Sequence, residues 1–379
     1  MSAAGGPSRS GPGSGPLTGV RVVEAASYMS GPLAGMMLAD LGAEVVKVEA
    51  PGGGDPFRTM GRPVTPSSAL FVNCNRGKRS VVLDLKSEPG RAELRRLLAD
   101  ADVFLCNWRP GVAESLGFDD ATLVALNPRL VRCFVTGYGT GGPLGAEPAF
   151  DTVAQAVSGI TDALSVDGTP RLLAGYPVDK ITASSATQAV LAALFARERS
   201  GQGERIDLAM LDATAYFQFP ELLTNRVFLD HEPEEARNGQ ALGIRPVPTR
   251  DGWMVIAMVT GRQIRDTCGA LGHEEWAGEL RKIPDQSDMV HELFDRVSPV
   301  TATLGTEELL AVLRGIGVPC APCLTIDEHL ADEQVAHNRL YRVEEWPGYG
   351  RVRVIRYPAV FSTWGNVAAS GVAPGYDEA

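Results

Sequence analysis

Short apolar runs rich in β-branched residues recur along the first half of the chain, and stretches with helical spacing fall between them. Val20–Ala25 is the first such run, and Ala43–Glu49 alternates in the manner of a strand. Between the two, Pro32–Leu41 is apolar and stops at Gly42, the pattern of a helix with a glycine end. Ser80–Leu85, Val103–Cys106 and Leu130–Val135 predict three more strands. Pro89–Ala101 sets Leu94, Leu97 and Leu98 at i, i+3, i+4 and predicts a helix, and Asp120–Leu126 predicts a short one. The longest helix is predicted from Asp179 to Arg199, ended by Ser200-Gly201-Gln202-Gly203. A strand at Glu204–Leu208 and a helix at Met210–Phe219 follow. This alternation predicts an α/β domain built on a mainly parallel sheet.

Beyond it the pattern changes. Residues 220–245 are irregular and charged, as a linker would be. A turn and strand at Thr249–Val259 open a smaller domain with helical stretches at Gln263–Leu271, Asp288–Val297 and Glu307–Gly315. From Gly317 the elements shorten into loops and strands, and Ala369–Ala379 reads as loose. Residues 1–16 are nearly all Gly, Ser, Pro and Ala. Burial of such a segment cannot offset its ordering entropy, which predicts a disordered tail.

Composition narrows the function classes. The chain has 379 residues, 44% hydrophobic and 21% charged, as in an ordinary globular protein. A net charge of −11 argues against a general nucleic-acid partner, although it leaves room for a local basic pocket. Six scattered cysteines are too few for a disulfide scaffold at this length. No run reaches the ~18 apolar residues of a membrane span, and residues 1–16 lack a signal-like apolar core. The expectation is a reduced, soluble, cytoplasmic protein with no membrane partner.

The inventory of reactive groups is lopsided. All five histidines lie at or after His231, so chemistry in the first domain must use a carboxylate, lysine, tyrosine or serine, or borrow a later histidine. No H-E-x-x-H pattern or close His pair suggests zinc, and no metal is expected. The first turn, Ala26–Pro32, lacks the G-x-G-x-x-G of a dinucleotide site. Cys320-Ala321-Pro322-Cys323 has redox spacing without the strand-to-helix setting of a thioredoxin-like pair, and a buried loop is the plainer reading. Arg76-Gly77-Lys78-Arg79 and Asn107-Trp108-Arg109 are either solvated turns and a packed aromatic or a phosphate and adenine site beyond strand ends. Asp179, at the start of the long helix, reads equally as an N-cap.

Taken together these segments resemble the family III CoA-transferases, which include formyl-CoA transferase, carnitine CoA-transferase and the α-methylacyl-CoA racemases. The carriers are Gly31–Glu49 (GPLAGMMLADLGAEVVKVE), Gly52–Pro56 (GGGDP), Asn75–Ser80 (NRGKRS), Leu83–Lys86 (LDLK) and Asn107–Gly111 (NWRPG) with Leu116-Gly117. Asn127–Leu130 (NPRL), Gly137–Gly139, Gly142-Pro143, Asp179 with its helix, and Arg199–Gly203 (RSGQG) continue the match in order, and Gly317–Pro322 (GVPCAP) extends it. The resemblance implies a Rossmann-like large domain with a parallel sheet plus a smaller α/β domain, in a homodimer of interlocked rings. Residues 17–225 and 317–379 would then form the large CoA-binding domain, and 226–316 the small domain with its linkers.

The same resemblance implies the chemistry. It makes Asp179 the carboxylate that attacks an acyl-CoA thioester and sets Tyr138 and Gly139 beside the reacting group. Coenzyme A, carried in as acyl-CoA, would lie along Asn75, Arg76, Lys78, Asn107, Trp108, Leu116 and Thr136. A carboxylic acid would be the acceptor. N–H groups after Asp179 and in Gly137–Gly139 would receive the oxyanions. Two alternatives differ at single features. The racemase branch needs a histidine where this chain has Phe150, and a non-catalytic CoA-binding protein would not need Asp179. Met29 replaces the glutamine of the formyl-specific branch, which points to a larger or less polar acyl group. Ser115 stands where some members carry a phosphate-binding arginine, and the chain's end is short for the last helix of the large domain.

Overall fold

The computed structural model describes residues 15–61, 63–223, 226–230, 243–368 and 371–376. The chain forms two compact units, residues 1–218 with 339–379, and residues 219–338. The predicted tail at 1–16 lies outside the described residues except for its last two. His231 and most of the predicted linker also lie outside them.

The larger unit alternates β1 (Arg21–Ala25), α1 (Ser30–Asp40), β2 (Glu44–Glu49), α2 (Ala69–Asn75), β3 (Arg79–Val82), α3 (Glu88–Ala99) and β4 (Val103–Cys106). It continues through α4 (Val112–Ser115), α5 (Asp120–Leu126), β5 (Val131–Thr136), α6 (Asp151–Val157), α7 (Ile160–Ala163), α8 (Pro177–Ser200), β6 (Arg205–Ala209) and α9 (Met210–Leu222). Its six strands run parallel in the order β3-β2-β1-β4-β5-β6. Parallel strands need crossovers, and the crossover helices cover both faces. Hence β4 and β5, at the centre, are buried along their whole length. One face packs Val22, Val45, Val103 and Val131 against α1 and α8, and the other packs Val23, Phe104 and Phe134 against Leu94 and Leu98 of α3.

A cluster of charged residues is fully buried between β1, β2 and α1. Glu24 and Lys47 are partners in the β1–β2 register and point to the α1 face. Lys47 Nζ meets Glu24 Oε1 at 2.9 Å, Asp55 Oδ2 at 3.0 Å and the Ala26 carbonyl at 2.7 Å. Lys78 Nζ meets Glu24 Oε2 at 2.6 Å, the Pro32 carbonyl at 2.7 Å and Asn75 Oδ1 at 2.8 Å. All four ionic side chains are fully buried. α1 closes over the cluster through Gly35, where an added Cβ would stand 2.0 Å from Glu24 Oε2. Gly35→Ala is therefore expected to cost about 1–3 kcal/mol by overpacking, measured by urea unfolding, although alanine is the better helix former.

Several elements escaped the sequence pattern. The helices α2, α4, α6 and α7 are four to seven residues long, too short to show a period. α1 starts at Ser30, two residues before the predicted start, because Pro32 sits inside its first turn. α8 runs from Pro177, and Gly201 ends it at φ 69° with its N–H on the Arg197 carbonyl, as the glycine stop predicted.

The smaller unit holds β7 (Val247–Pro248), β8 (Trp253–Ile256), α10 (Gly261–Ala270), α11 (Trp276–Leu280), α12 (Gln286–Thr301), α13 (Thr306–Gly315), β9 (Cys320–Pro322), α14 (Ile326–Ala331) and α15 (Glu333–His337). Its core gathers Met254, Ile256, Leu293, Phe294, Leu309 and Leu313. Residues 317–338, expected in the large domain, belong to this unit because β9 pairs antiparallel with β8. Cys320 is half-buried in β9 and Cys323 is exposed, both as free thiols.

The chain re-enters the larger unit with β10 (Tyr341–Trp346), β11 (Gly350–Ile355), β12 (Val360–Phe361) and β13 (Gly365–Asn366). No helix follows among the described residues. The end segment, read as loose, is anchored where it is described. Ala373 is buried beside Phe57 and Phe71, Tyr376 donates to the Ala50 carbonyl at 3.0 Å, and Arg58 Nη1 donates to the Pro374 carbonyl at 3.1 Å. Aperiodic sequence hides such anchoring, because each contact is made by a single residue.

Candidate active site

In the strand order above, the chain reverses direction of winding between β1 and β4, and ligands of open parallel sheets sit beyond the carboxyl ends at such a point. The loops there are Ala26–Met29 after β1 and Asn107–Trp108 after β4, and Asn107 ties them together. Its Oδ1 accepts from the Ser27 N–H at 3.0 Å and its Nδ2 donates to the Ser27 carbonyl at 2.8 Å. The loop after β1 is braced from below by the buried ionic cluster, through the Ala26 and Pro32 carbonyls. In its middle Tyr28 adopts φ 66°, a left-handed conformation costing a bulky residue about 1–3 kcal/mol. The Tyr28 N–H donates to Asp55 Oδ1 at 3.2 Å, and its ring meets Phe57 and Phe150 edge-on at 5.7 and 5.4 Å.

Asp179 lies in the first turn of α8, half-buried. It is not the cap expected of a helix-start aspartate. Tyr176 holds that position without a side-chain bond, and Pro177 takes the first helical place. The Asp179 N–H donates to Asp151 Oδ2 at 3.0 Å. Burial, and then the charge of Asp151, raise the Asp179 carboxyl from 3.8 to about 7, while the Ser30 hydroxyl and N–H oppose part of the rise. Asp151 is itself buried, and its other oxygen accepts from Gln155 Nε2 at 2.6 Å. Gln155 Oε1 accepts from the Leu173 N–H at 2.9 Å, which fastens the segment leading into α8. Ser30, Asp151 and Gln155 were not singled out in the sequence. Asp151 was visible only as the residue after Phe150, and Ser30 only as the one before Gly31-Pro32.

The expected CoA contacts divide into two groups. Asn107, Trp108 and Leu116 are half-buried beyond β4, with the Trp108 ring edge-on to Phe104 at 5.8 Å. Thr136, at the end of β5, is buried, and its Oγ1 accepts from the Gly139 N–H at 3.1 Å. Of the N–H groups expected to receive an oxyanion, that of Gly139 is thus engaged inside the protein. Tyr138 is half-buried beside Gly139. In the second group the side chains turn inward. Asn75 Nδ2 donates to the Phe71 carbonyl at 3.0 Å, Arg76 pairs with Asp40 at 2.7 Å, and Lys78 belongs to the ionic cluster. The basic turn that read as a phosphate site buries two of its three cations, and Arg79 is the exposed one. A cavity of about 380 Å³ opens at the opposite, amino ends of the strands, among Arg21, Glu44, Arg79 and Leu97, and contains none of the reactive residues.

Among the described residues no group of three or more His, Cys, Asp or Glu side chains is placed to hold a metal ion, and no helix is long and apolar enough to cross a membrane.

Comparison with known proteins converges. The model of the family described as CoA-transferase family III matches residues 17–378. The chain is 36% identical to a succinate–glutarate CoA-transferase of Agrobacterium fabrum, over 84% of this chain and 83% of the relative. It is 33% identical to a probable fatty acyl-CoA transferase, Rv3272, of Mycobacterium tuberculosis, over 92% of both. Among solved structures, a CAIB/BAIF family protein from Brucella suis superposes with a TM-score of 0.81 at 31% identity, covering 94% of this chain and 96% of that one.

Proposed function

From the premise that the chain belongs to CoA-transferase family III and is a CoA-transferase, we propose that it moves CoA from an acyl-CoA to a free carboxylic acid through covalent intermediates on Asp179. The observation that carries this reading is Asp179 itself. It is a carboxylate at the first turn of α8, held by Asp151 and Gln155 and raised to about 7, so that it is a stronger base than an ordinary aspartate.

The Asp179 carboxylate attacks the thioester carbonyl, the C–S bond breaks, and CoA leaves as thiolate from a mixed anhydride. The thiolate attacks Asp179 Cγ and expels the donor acid, leaving a β-aspartyl-CoA thioester. The acceptor carboxylate attacks Cγ in turn and releases the thiolate, which takes the acceptor acyl group and restores Asp179. Overall one thioester is exchanged for another of similar energy, so no nucleotide is consumed. Ser30, whose hydroxyl and N–H lie against the carboxylate, is the donor placed to receive charge on the Asp179 carboxyl.

Coenzyme A is proposed to lie across the carboxyl ends of β1, β4 and β5, along Trp108, Leu116 and Thr136, with Asn107 holding the loop. The exposed Arg109 supplies a cation for phosphate. Asn75, Arg76 and Lys78 serve that surface indirectly, by fixing the loops beneath it. Neither part of the larger unit contains a histidine, and Phe150 carries no exchangeable proton, so the racemase reading finds no acid–base partner here. A homodimer is proposed, and Phe195, Tyr216 and Phe217, each more than 60% exposed on the larger unit, offer apolar surface for it. The cytoplasm is the proposed setting, where the six free thiols stay reduced.

The test is to incubate the protein with acyl-CoAs, quench with hydroxylamine or borohydride, and map the adduct by peptide mass. Modification of the peptide carrying Asp179 is expected. Deuterium wash-in at the α-carbon of a branched acyl-CoA without any adduct would sink the proposal. The nucleophile acts ionised, so kcat/KM is expected to rise with pH through about 7 and level off above it, read from a pH profile of free enzyme.

A further inference from the structure

Aromatic rings that the mechanism above does not use adjoin, in sequence, the residues that meet the nucleophile. Tyr28 stands two residues before Ser30, Phe150 one residue before Asp151, and Tyr176 three residues before Asp179. They are 37%, 55% and 37% exposed. Phe57, buried, joins them: its ring centroid is 5.7 Å from Tyr28 and 6.4 Å from Tyr176, and Phe150 closes on Tyr28 at 5.4 Å. Exposed aromatic surface gathered around a reacting carboxylate is hydrophobic area left uncovered, and the strained Tyr28 backbone is the kind of cost retained at ligand-contacting positions.

Asp179 meets Asp151 from α6 and the uncharged Ser30 from α1, and the nearest cation in sequence, Lys180, is exposed and carries its Nζ beside Gly175. A second carboxylate on the substrate would face aromatic rings and another anion here. A flat or branched apolar body would cover the rings and gain roughly 25 cal/mol for each Å² of apolar surface removed from water.

Resting on the transferase reading, we propose that Tyr28, Phe150 and Tyr176, floored by Phe57, form the acyl-binding wall, and that the acids carried are monocarboxylates with an aromatic or branched aliphatic body. Phe150 is the specificity-determining residue of this wall, since it is the most exposed ring and adjoins the residue that holds Asp179.

The experiment offers the full-length protein propionyl-CoA as donor and compares phenylacetate, isovalerate, acetate, succinate and glutarate as acceptors, with Asp179 labelling followed in parallel. The expected result is kcat/KM for phenylacetate and isovalerate at least ~10-fold above the dicarboxylates, the range one apolar contact supports. Phe150→Ala is expected to lower the phenylacetate value ~10-fold and the acetate value less than ~3-fold. Dicarboxylates preferred while Asp179 is still labelled would overturn this inference and leave the transferase reading standing. An equal loss for all acceptors in Phe150→Ala would also overturn it. No transfer to any acid and no label on Asp179 would remove both.

Discussion

Asp179→Asn is expected to lower kcat for CoA transfer by roughly 10³-fold or more, because the amide cannot form the anhydride and no neighbouring group replaces it. The same variant is expected to be more stable than the parent at pH 8. In the folded chain the Asp179 carboxyl titrates near 7 against an ordinary 3.8, so the folded state holds that proton more tightly than the unfolded one. Its contribution to stability is present below about pH 4 and is lost as pH rises through 7, where the ionised group becomes a burden. Asparagine removes the burden, for a gain of order 1 kcal/mol at pH 8 that shrinks toward pH 5, read from chemical unfolding at the two pH values. Loss of activity with a loss of stability at pH 8 would mean that Asp179 is structural. Gain of stability with loss of activity is the signature of a group strained for its chemistry.

The second large effect is expected at the ionic cluster beneath the loop after β1. Lys47→Met leaves Glu24 and Asp55 buried with one cation fewer, and removal of one partner of a buried pair costs about 3–5 kcal/mol. Because Lys47 also braces the Ala26 carbonyl, the variant should lose transferase activity at temperatures where it is still folded. The measurements are a denaturant midpoint and an activity assay at 15 °C. Lys47→Met with an unchanged midpoint would show that the cluster relaxes or takes up water. Exposed pairs such as Arg96–Glu93 are expected to contribute little, since solvent screens them.

How much of this was legible in the sequence follows from the range of each interaction. The strands β1, β2, β4 and β5 follow from short β-branched apolar runs, the helix α3 from its i, i+3, i+4 leucines, and the end of α8 from the glycine stop at Gly201. Alternation of strand and helix was enough for the α/β class. Asp179 gained its proposed role from the ordered motifs around it, and its own surroundings gave only a helix-start aspartate. The features that local sequence left open share a cause. Asn75, Arg76 and Lys78 look like a solvated basic turn until Glu24 and Asp40, which are 54 and 36 residues from Lys78 and Arg76, are folded against them. Residues 317–338 look like part of the large domain until β9 finds β8.

The sequence by itself determined the family and the parallel-sheet architecture, and it singled out Asp179 as the carboxylate proposed to carry the chemistry. Those are properties of local period and of ordered motifs, which survive without coordinates. Only the tertiary structure decided which charges are inside, that Asp151 and Ser30 meet Asp179, and that Tyr28, Phe57, Phe150 and Tyr176 gather in one cluster of rings. These residues come from loops and helix starts spread over some 150 positions. Their contacts depend on where the sheet delivers each loop, and no spacing along the chain records that.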